Sequence, residues 1–375
     1  MLQNKIYQNY LSEIFKTFFV ILLALSLIAL TVRAVSFLEL IVDSGYLLST
    51  YFKYSILNIL GIIPKFIPLS FLIALIIFII KHKQDSEFVI LWTSGIKKIN
   101  LVNLLFLFSI SILFIHLIIS IFITPMALNK SRNILSSNQI NSFIPTVRTQ
   151  QFSDSFSAFT FFVEQKNGDN VKNIFLHDKG SILKNLSPNV SNTRNISIIA
   201  SEGIVEKNRL VLFEGQIISE KKGNIKGDVI KFEQLNVNLN DLNTRTIKKP
   251  KIQETSTVKL INCLIGKDLN QDFCNQSFLN EIVPTLNRRI VLPFYIPVIS
   301  LICCLLFLKT EKKYLNNFNI FLYSFCILLF AELSVRFTGI NFVNQILFIT
   351  LPIILMAIVY SFILLKFSNE YKINE

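Results

Sequence analysis

Residues 56–80 read ILNILGIIPKFIPLSFLIALIIFII, a long apolar run in which Lys65 is the one charged residue. A helix rises about 1.5 Å per residue, so roughly 20 such residues cross the hydrocarbon core of a bilayer. Comparable runs recur along the chain, which is 52% hydrophobic with a mean hydropathy of +0.53. We therefore predict an α-helical integral membrane protein with six transmembrane helices, at about 15–32, 56–80, 101–123, 290–308, 318–333 and 342–365.

Directly beyond the quoted run, residues 86–98 read SEFVILWTSGIKK, which predicts a short amphipathic helix between the second and third spans. Glu87 lies in its first turn, and Gly95 followed by two lysines is a typical helix end. Four apolar residues are spaced to share one side of this helix: Phe88, Val89, Leu91 and Trp92. We interpret residues 86–98 as a coupling helix, a rigid plug through which a soluble motor pushes a membrane subunit.

The residues expected to contact the motor are Glu87, Phe88, Leu91 and Trp92. The alternative is a helix that lies passively at the bilayer interface. The pattern of this helix does not by itself decide between the two.

The middle segment, residues 125–284, is polar and rich in Asn, Ser, Gly and Lys. From Phe152 onward, short alternating stretches are separated by turn residues such as Asn167-Gly168. About eight or nine strands without a convincing helix predict an inserted all-β domain, a sandwich or jellyroll. Its predicted inward-facing residues are Phe159, Phe161, Val163, Ile174, Leu176, Ile198 and Phe213.

The role of the edge strands of such a sheet can be interpreted in two ways. An open edge strand is a docking surface for a strand of a partner. The alternative is a self-contained sandwich whose edges are blunted by lysines. The chain thus divides into a first transmembrane half at 1–124, the β domain at 125–284 and a second transmembrane half at 285–375.

Lysines cluster in the loops after the second and fourth spans and near the C-terminus. Because Lys and Arg beside spans are retained on the cytoplasmic side, both termini are expected in the cytoplasm and the middle segment outside. For a bacterial inner membrane, the outside is the periplasm. The first apolar run lacks a small-x-small cleavage site, so we expect it to be retained as a span.

Several functional classes are disfavoured. The net charge is +13, but the basic residues form no aromatic-interleaved patch, so we expect no nucleic-acid binding. The sequence contains no phosphate-binding loop, metal-ligand spacing or serine nucleophile elbow, and we expect no catalytic site, metal or cofactor. If the protein does work, the energy must then come from another subunit.

Cys263 and Cys274 lie in the middle segment, where a disulfide is permitted.

Five basic residues fall toward the exterior ends of spans, where positive charge is disfavoured: Arg33, Lys65, Arg288, Arg289 and Arg336. One explanation is pairing, with Glu332 and Arg336 four residues apart on one helix face. Further candidate partners are Glu39, Asp43 and Glu281. The other explanation is that the five bind the phosphates of an anionic lipid. Pro64 and Pro68 predict a broken backbone around Lys65, beside a wet cavity.

Short motifs in a fixed order run along nearly the whole chain. They are Tyr7 with Glu13 and Lys16, Pro68-Leu69-Ser70, Asp85-Ser86-Glu87, Ser94-Gly95-Ile96, Phe162-Val163-Glu164, Ala200-Ser201-Glu202-Gly203, and Asn287 with Arg289 and Ile290. Together they resemble the LptF/LptG family of lipopolysaccharide-export permeases, also called the YjgP/YjgQ family. The motifs 85–87 and 287–290 look more like the LptF branch.

The resemblance implies three spans, a periplasmic β-jellyroll and three more spans. It implies a half-transporter that pairs with a paralogous, LptG-like subunit, takes lipopolysaccharide from the outer leaflet and passes it to a periplasmic LptA-like bridge. The LptB ATPase would drive it from the cytoplasm, and LptC would add a further jellyroll and helix. Glu87 matches the family's acidic coupling-helix residue, and Arg33 falls in the basic upper end of span one that faces the lipid.

Three other functions compete. A permease of the lipoprotein-release or mechanotransmission type also has a coupling loop and a periplasmic domain, but usually four spans. A secondary transporter would need midplane charges or unwound helices in both halves, and only Lys65 with its prolines fits. A lipid-modifying enzyme is disfavoured, because the sequence contains no constellation of catalytic residues.

Overall fold

The computed structural model describes residues 2–38, 41, 47–137, 149–156, 159–178, 193–206, 209–221, 228–238, 251–266, 276–308 and 313–373. The chain divides into two compact units. The first contains Met1–Thr31, Asn58–Asn129 and Lys251–Glu375, and the second contains Val32–Leu57 and Lys130–Pro250.

The helices before the sheet are α1 (Leu2–Phe37), α2 (Leu48–Gln84), α3 (Glu87–Thr93), α4 (Lys98–Ile118) and α5 (Thr124–Ser137), with a π-helical turn at Ile119–Ile123 between the last two. Those after the sheet are α6 (Thr257–Leu264), α7 (Gln276–Ile290), α8 (Tyr295–Cys304), α9 (Lys313–Ser334) and α10 (Phe342–Ile373). Short 3-10 turns lie at Ile252–Glu254, Leu292–Phe294, Leu305–Phe307 and Val335–Gly339.

Six helical segments of the described chain are long and apolar enough to cross a membrane, which confirms the predicted number of spans. They are Lys5–Phe37, Leu48–Gln84, Lys98–Leu135, Asn280–Phe307, Asn317–Gly339 and Phe342–Phe367. The second and fourth are the most buried, and the other four expose apolar side chains along much of their length. Spans two and four therefore lie at the centre of the transmembrane helices. We call the first compact unit, which contains most of these helices, the helical unit.

The predicted break around Lys65 is wrong, because α2 continues as an α-helix through Pro64 and Pro68. Proline lacks an N–H, so Pro64 leaves the carbonyl of Leu60 without its helical donor. The hydroxyl of Thr124 donates to that oxygen over 2.9 Å. A side chain of span three thus supplies the hydrogen bond that the proline removes, and the helix does not have to unwind.

The inserted all-β domain is confirmed. Six antiparallel strands pair in sequence order: β1 (Ser153–Phe156), β2 (Phe159–Asn167), β3 (Asn170–Asp178), β4 (Thr193–Glu206), β5 (Arg209–Lys221) and β6 (Asp228–Asn238). The described strands number fewer than the eight or nine expected, because several candidate pairs are single long strands. Gly203 and Gly215 lie inside β4 and β5, although glycine commonly weakens a strand.

These two glycines serve close packing and do not end a strand. A Cβ at Gly203 would clash with the side chain of Ile174, and one at Gly215 would clash with the backbone oxygen of Ile199. Glycine within a strand commonly marks such a close approach. The polar composition of the middle segment also hid a helix, since α6 lies within it and α5 extends into it.

The sheet has one buried apolar cluster, which includes Phe161, Val163, Ile174, Leu176 and Ile198. Phe213 is half-buried and is not among its members, although it was predicted to face inward. The side chain of Phe159 lies outside the described residues. Cys263 in α6 is disulfide-bonded, and Cys274 also lies outside the described residues.

Phe213 differs from the prediction because the strands change faces. Buried positions in β4 are Ile198 and Ala200 before Ser201, but Gly203 and Val205 after it. Asn173 in β3 and Glu214 in β5 lie beside Ser201 in the sheet, and their φ angles are 50° and 49°. Such residues rotate the strand, so regular alternation fails on either side of them.

Candidate functional site

A cavity of about 80 Å³ lies within the helical unit, among the second, third, fourth and fifth spans. Three of the five predicted basic residues line it, namely Lys65, Arg288 and Arg289. Its polar lining also includes His116, Ser120, Thr124, Gln253, Thr285 and Glu332. The structure thus brings together residues that the sequence places far apart.

Arg289 uses its guanidinium to hold the segment that enters α6. The side chain is 5% exposed. Its Nη1 donates to the backbone oxygen of Thr255 over 3.0 Å and to the hydroxyl of Thr257 over 2.9 Å, and its Nη2 donates to the oxygen of Gln253 over 2.8 Å. Thr257 in turn donates to the oxygen of Ile121 in the π-helical turn. Arg289 therefore ties spans three and four to the chain between them.

Arg288 forms an ion pair across the cavity wall. Its Nη2 lies 2.7 Å from the Oε1 of Glu332 on α9. The predicted pair between Glu332 and Arg336 is wrong, since Glu332 points to Arg288 and Arg336 is exposed. Arg288 Nε, which is buried, has no hydrogen-bond partner within the described part of the chain. The pair therefore leaves donor capacity on the guanidinium.

His116 is one of the cavity residues that the sequence analysis missed. Its side chain is 2% exposed, and its Nδ1 has no hydrogen-bond partner among the described residues. It lies just before the π-helical turn, whose wider winding turns Ser120 and Thr124 toward the same cavity. A lone histidine in an apolar run carries no pattern that would have revealed this placement.

Two of the five basic residues do not line this cavity. Arg336 is exposed on the 3-10 turn that follows α9. Arg33 lies near the end of α1, in the part assigned to the other compact unit, and it is exposed there. The five residues therefore form a group of three with two further basic residues elsewhere.

The short helix α3 is the second candidate site. Ser86 precedes it with a φ of 60°, and the helix presents one apolar side to the protein. Phe88 is 1% exposed and Leu91 8%, while the half-buried Trp92 packs against the same core. Val89 was expected on this side, but it is 53% exposed, because it is rotated about 100° from Phe88 on the helix.

Three spans provide the pocket for α3. The ring of Phe88 meets Phe307, at the end of span four, edge to face with centroids 5.2 Å apart. It also contacts Tyr10 of α1 and Phe78 of α2. Lys98 lies over the ring of Trp92, 4.8 Å from its centroid. A helix of seven residues is not stable alone, so these contacts determine where α3 lies.

The comparison with known families agrees with this architecture. A family described as Lipopolysaccharide export system permease LptF/LptG matches residues 9–366, which is nearly the whole chain. No curated protein matches the chain. Six spans, a sheet inserted between the third and fourth, and a match of this extent lead to one assignment. The chain belongs to the LptF/LptG family of lipopolysaccharide export permeases, multi-pass proteins of the inner membrane.

Proposed function

We propose that this permease is the transmembrane subunit of an ATP-driven ABC transporter that extracts lipopolysaccharide from the outer leaflet of the inner membrane. The observation that carries the proposal is α3. Its inner side is buried among three spans, while its outer side exposes Val89, Ile90 and Glu87. A firmly seated helix with an apolar and acidic outer face is suited to receive a push from an ATPase.

The partners in this proposal are those that membership of the family implies. The chain supplies one half of the transporter and pairs with a paralogous permease, while an LptB-like ATPase docks on α3 from the cytoplasm. Both termini are then cytoplasmic and the sheet is periplasmic. LptC and an LptA-like bridge receive the lipid beyond the sheet. Clustered lysines beside α3 and near the C-terminus support this orientation.

The lipid phosphates are proposed to bind the basic residues toward the periplasmic ends of the spans. Lys65 and Arg288 are the best candidates among those that line the cavity, and Arg33 is the best candidate on α1. Arg289 is a weaker candidate, because three of its contacts are made to the protein itself. We assign it the role of holding the cavity wall.

Transport by the co-purified complex tests the proposal. The complex is reconstituted in proteoliposomes with lipopolysaccharide, and lipid transferred to an added soluble acceptor is measured with and without ATP. We expect ATP-dependent transfer from the wild type and loss of transfer from Glu87→Lys. Asp169→Lys, the same charge change on an exposed sheet turn, serves as the control. ATP-dependent transfer by Glu87→Lys at the wild-type rate would contradict the role of α3.

A further inference from the structure

We infer that Tyr10, Glu13 and His82 are positioning residues that join the coupling helix to span one, so that movement of α3 is passed directly to α1. The inference rests on the proposed function. It adds residues outside α3 to the transmission of force, and it identifies span one as a span that receives that force.

Tyr10 and Glu13 are three residues apart, so they lie on the same face of α1. This face is directed at α3 and at the end of α2. Tyr10 is 5% exposed, and its hydroxyl donates to Glu87 Oε2 over 3.4 Å. Its ring also packs on His82, with centroids 4.9 Å apart. One side chain of span one therefore contacts both the acidic residue of α3 and the helix before it.

Glu13 provides the second connection. Its Oε1 accepts a hydrogen bond from Lys81 Nζ over 2.6 Å, and its Oε2 lies 3.3 Å from His82 Nε2. The same His82 nitrogen is 3.9 Å from Glu87 Oε2. His82 thus stands between two carboxylates, one on span one and one on the coupling helix.

The environment of His82 makes this contact specific. The side chain is 2% exposed and is enclosed by the rings of Tyr10, Phe78 and Phe88. Neither ring nitrogen makes a hydrogen bond of good geometry among the described residues, although Nε2 is close to both carboxylates. The imidazole is therefore close to Glu13 and Glu87 without being fixed to either carboxylate by a hydrogen bond.

These contacts differ from those that merely fold α3. The apolar seat of α3 is made by Phe88 and Leu91 and includes spans two and four. The polar contacts from α1 reach Glu87 itself, the residue proposed to meet the ATPase. Removing the hydroxyl of Tyr10 leaves the ring and the apolar seat in place, so it separates transmission from folding.

The test measures lipopolysaccharide transferred per ATP hydrolysed by the reconstituted complex. Tyr10→Phe and Glu13→Gln are expected to lower this ratio by about fivefold or more, the lower end of typical coupling between sites. Tyr7→Phe is the matched control, because its hydroxyl lies one turn away on α1 and makes no hydrogen bond with described residues. We expect the ratio for Tyr7→Phe to equal that of the wild type.

Charge exchange adds a second readout, which tests whether the ion pair between Glu13 and Lys81 is itself required for coupling. Glu13→Lys places two cations together and should abolish coupling, while adding Lys81→Glu restores the ion pair and should recover most of the ratio. Wild-type ratios in both Tyr10→Phe and Glu13→Gln would overturn the inference and leave the proposed function intact. A wild-type complex without ATP-dependent transfer would overturn the proposed function, and this inference with it.

Discussion

At the scale of single residues, the cavity shows two ways of keeping a guanidinium inside a helical unit. Arg289 satisfies its donors with the protein's own oxygens, at Gln253, Thr255 and Thr257. Arg288 instead faces the carboxylate of Glu332. The buried Arg289 must be hydrogen-bonded, whereas Arg288 is half-buried and paired, so the two differ in what remains available for a ligand.

Arg289→Gln should destabilise the protein without a specific loss of lipid binding. The shorter amide leaves two carbonyls and a hydroxyl without their donor, which we expect to cost about 3 kcal/mol. Thermal unfolding of the purified protein measures this loss. Arg336→Gln is the control, an exposed substitution expected to change stability by less than about 0.5 kcal/mol. A normal melting temperature together with lost lipid retention would show that Arg289 binds the lipid.

For Arg288 at the cavity we predict the opposite of Arg289, namely a loss of lipid binding. If Arg288 binds a lipid phosphate, Arg288→Gln should weaken lipopolysaccharide retention by about tenfold or more, since a charge-assisted contact contributes about 1.5 to 3 kcal/mol. Glu332→Gln leaves the guanidinium in place and should not weaken retention. The measurement is the amount of lipid that co-purifies with each variant, per complex. It shows whether Arg288 binds the lipid. Equal losses in both variants would indicate that only the ion pair is important.

At the scale of elements, span two shows how a helix keeps its course through two prolines. The carbonyl that Pro64 leaves free is bonded by Thr124, in a neighbouring helix that starts at this residue. The π-helical turn directly before Thr124 places the hydroxyl within reach. Irregular winding in one span therefore compensates a missing donor in another.

Thr124→Val should lower stability by about 1 to 2 kcal/mol, because it leaves the Leu60 carbonyl without a donor at almost unchanged volume. Thr124→Ser keeps the hydroxyl and should retain most of the stability. Thr350→Val is the matched control, since that hydroxyl bonds only to carbonyls of its own helix. Denaturation midpoints of the three variants in one detergent provide the comparison. A Thr124→Val midpoint equal to that of Thr350→Val would show that the bond is dispensable.

At the scale of the whole molecule, the sheet offers two different faces to a passing lipid. Ile198 belongs to the buried apolar cluster and is fully enclosed, whereas the adjacent Ile199 is 39% exposed on the opposite face. The proposed export route needs a surface that shields acyl chains from water. The face that carries the buried cluster is apolar, so we expect the proposed route to use that face.

Photo-crosslinkers at these two neighbouring positions distinguish the faces. We expect the one at Ile198 to capture lipopolysaccharide in an ATP-dependent manner and the one at Ile199 to capture little. The two positions are consecutive on one strand and both carry isoleucine, so the comparison isolates orientation. Capture that is equal with and without ATP at both positions would leave the sheet as a structural domain only.

Composition and periodicity were sufficient to predict the six spans, the inserted β domain and the short helix between spans two and three. These features depend on local properties, because about 20 apolar residues form a span whatever surrounds them, and an alternating pattern forms a strand. The lengths of the strands were not predictable in this way. Gly203 and Gly215 look like breaks in the sequence, and only their neighbours show that they are close contacts.

The candidate sites depended on tertiary structure to a greater degree. The sequence by itself determined which basic residues stand beside spans and that Glu87 begins a helix. Only the fold decided that Arg288 pairs with Glu332, that His116 reaches the same cavity, and that Tyr10 contacts Glu87. The physical reason is that hydrogen bonds and ion pairs act over a few ångströms, and those distances arise when helices far apart in the chain pack together.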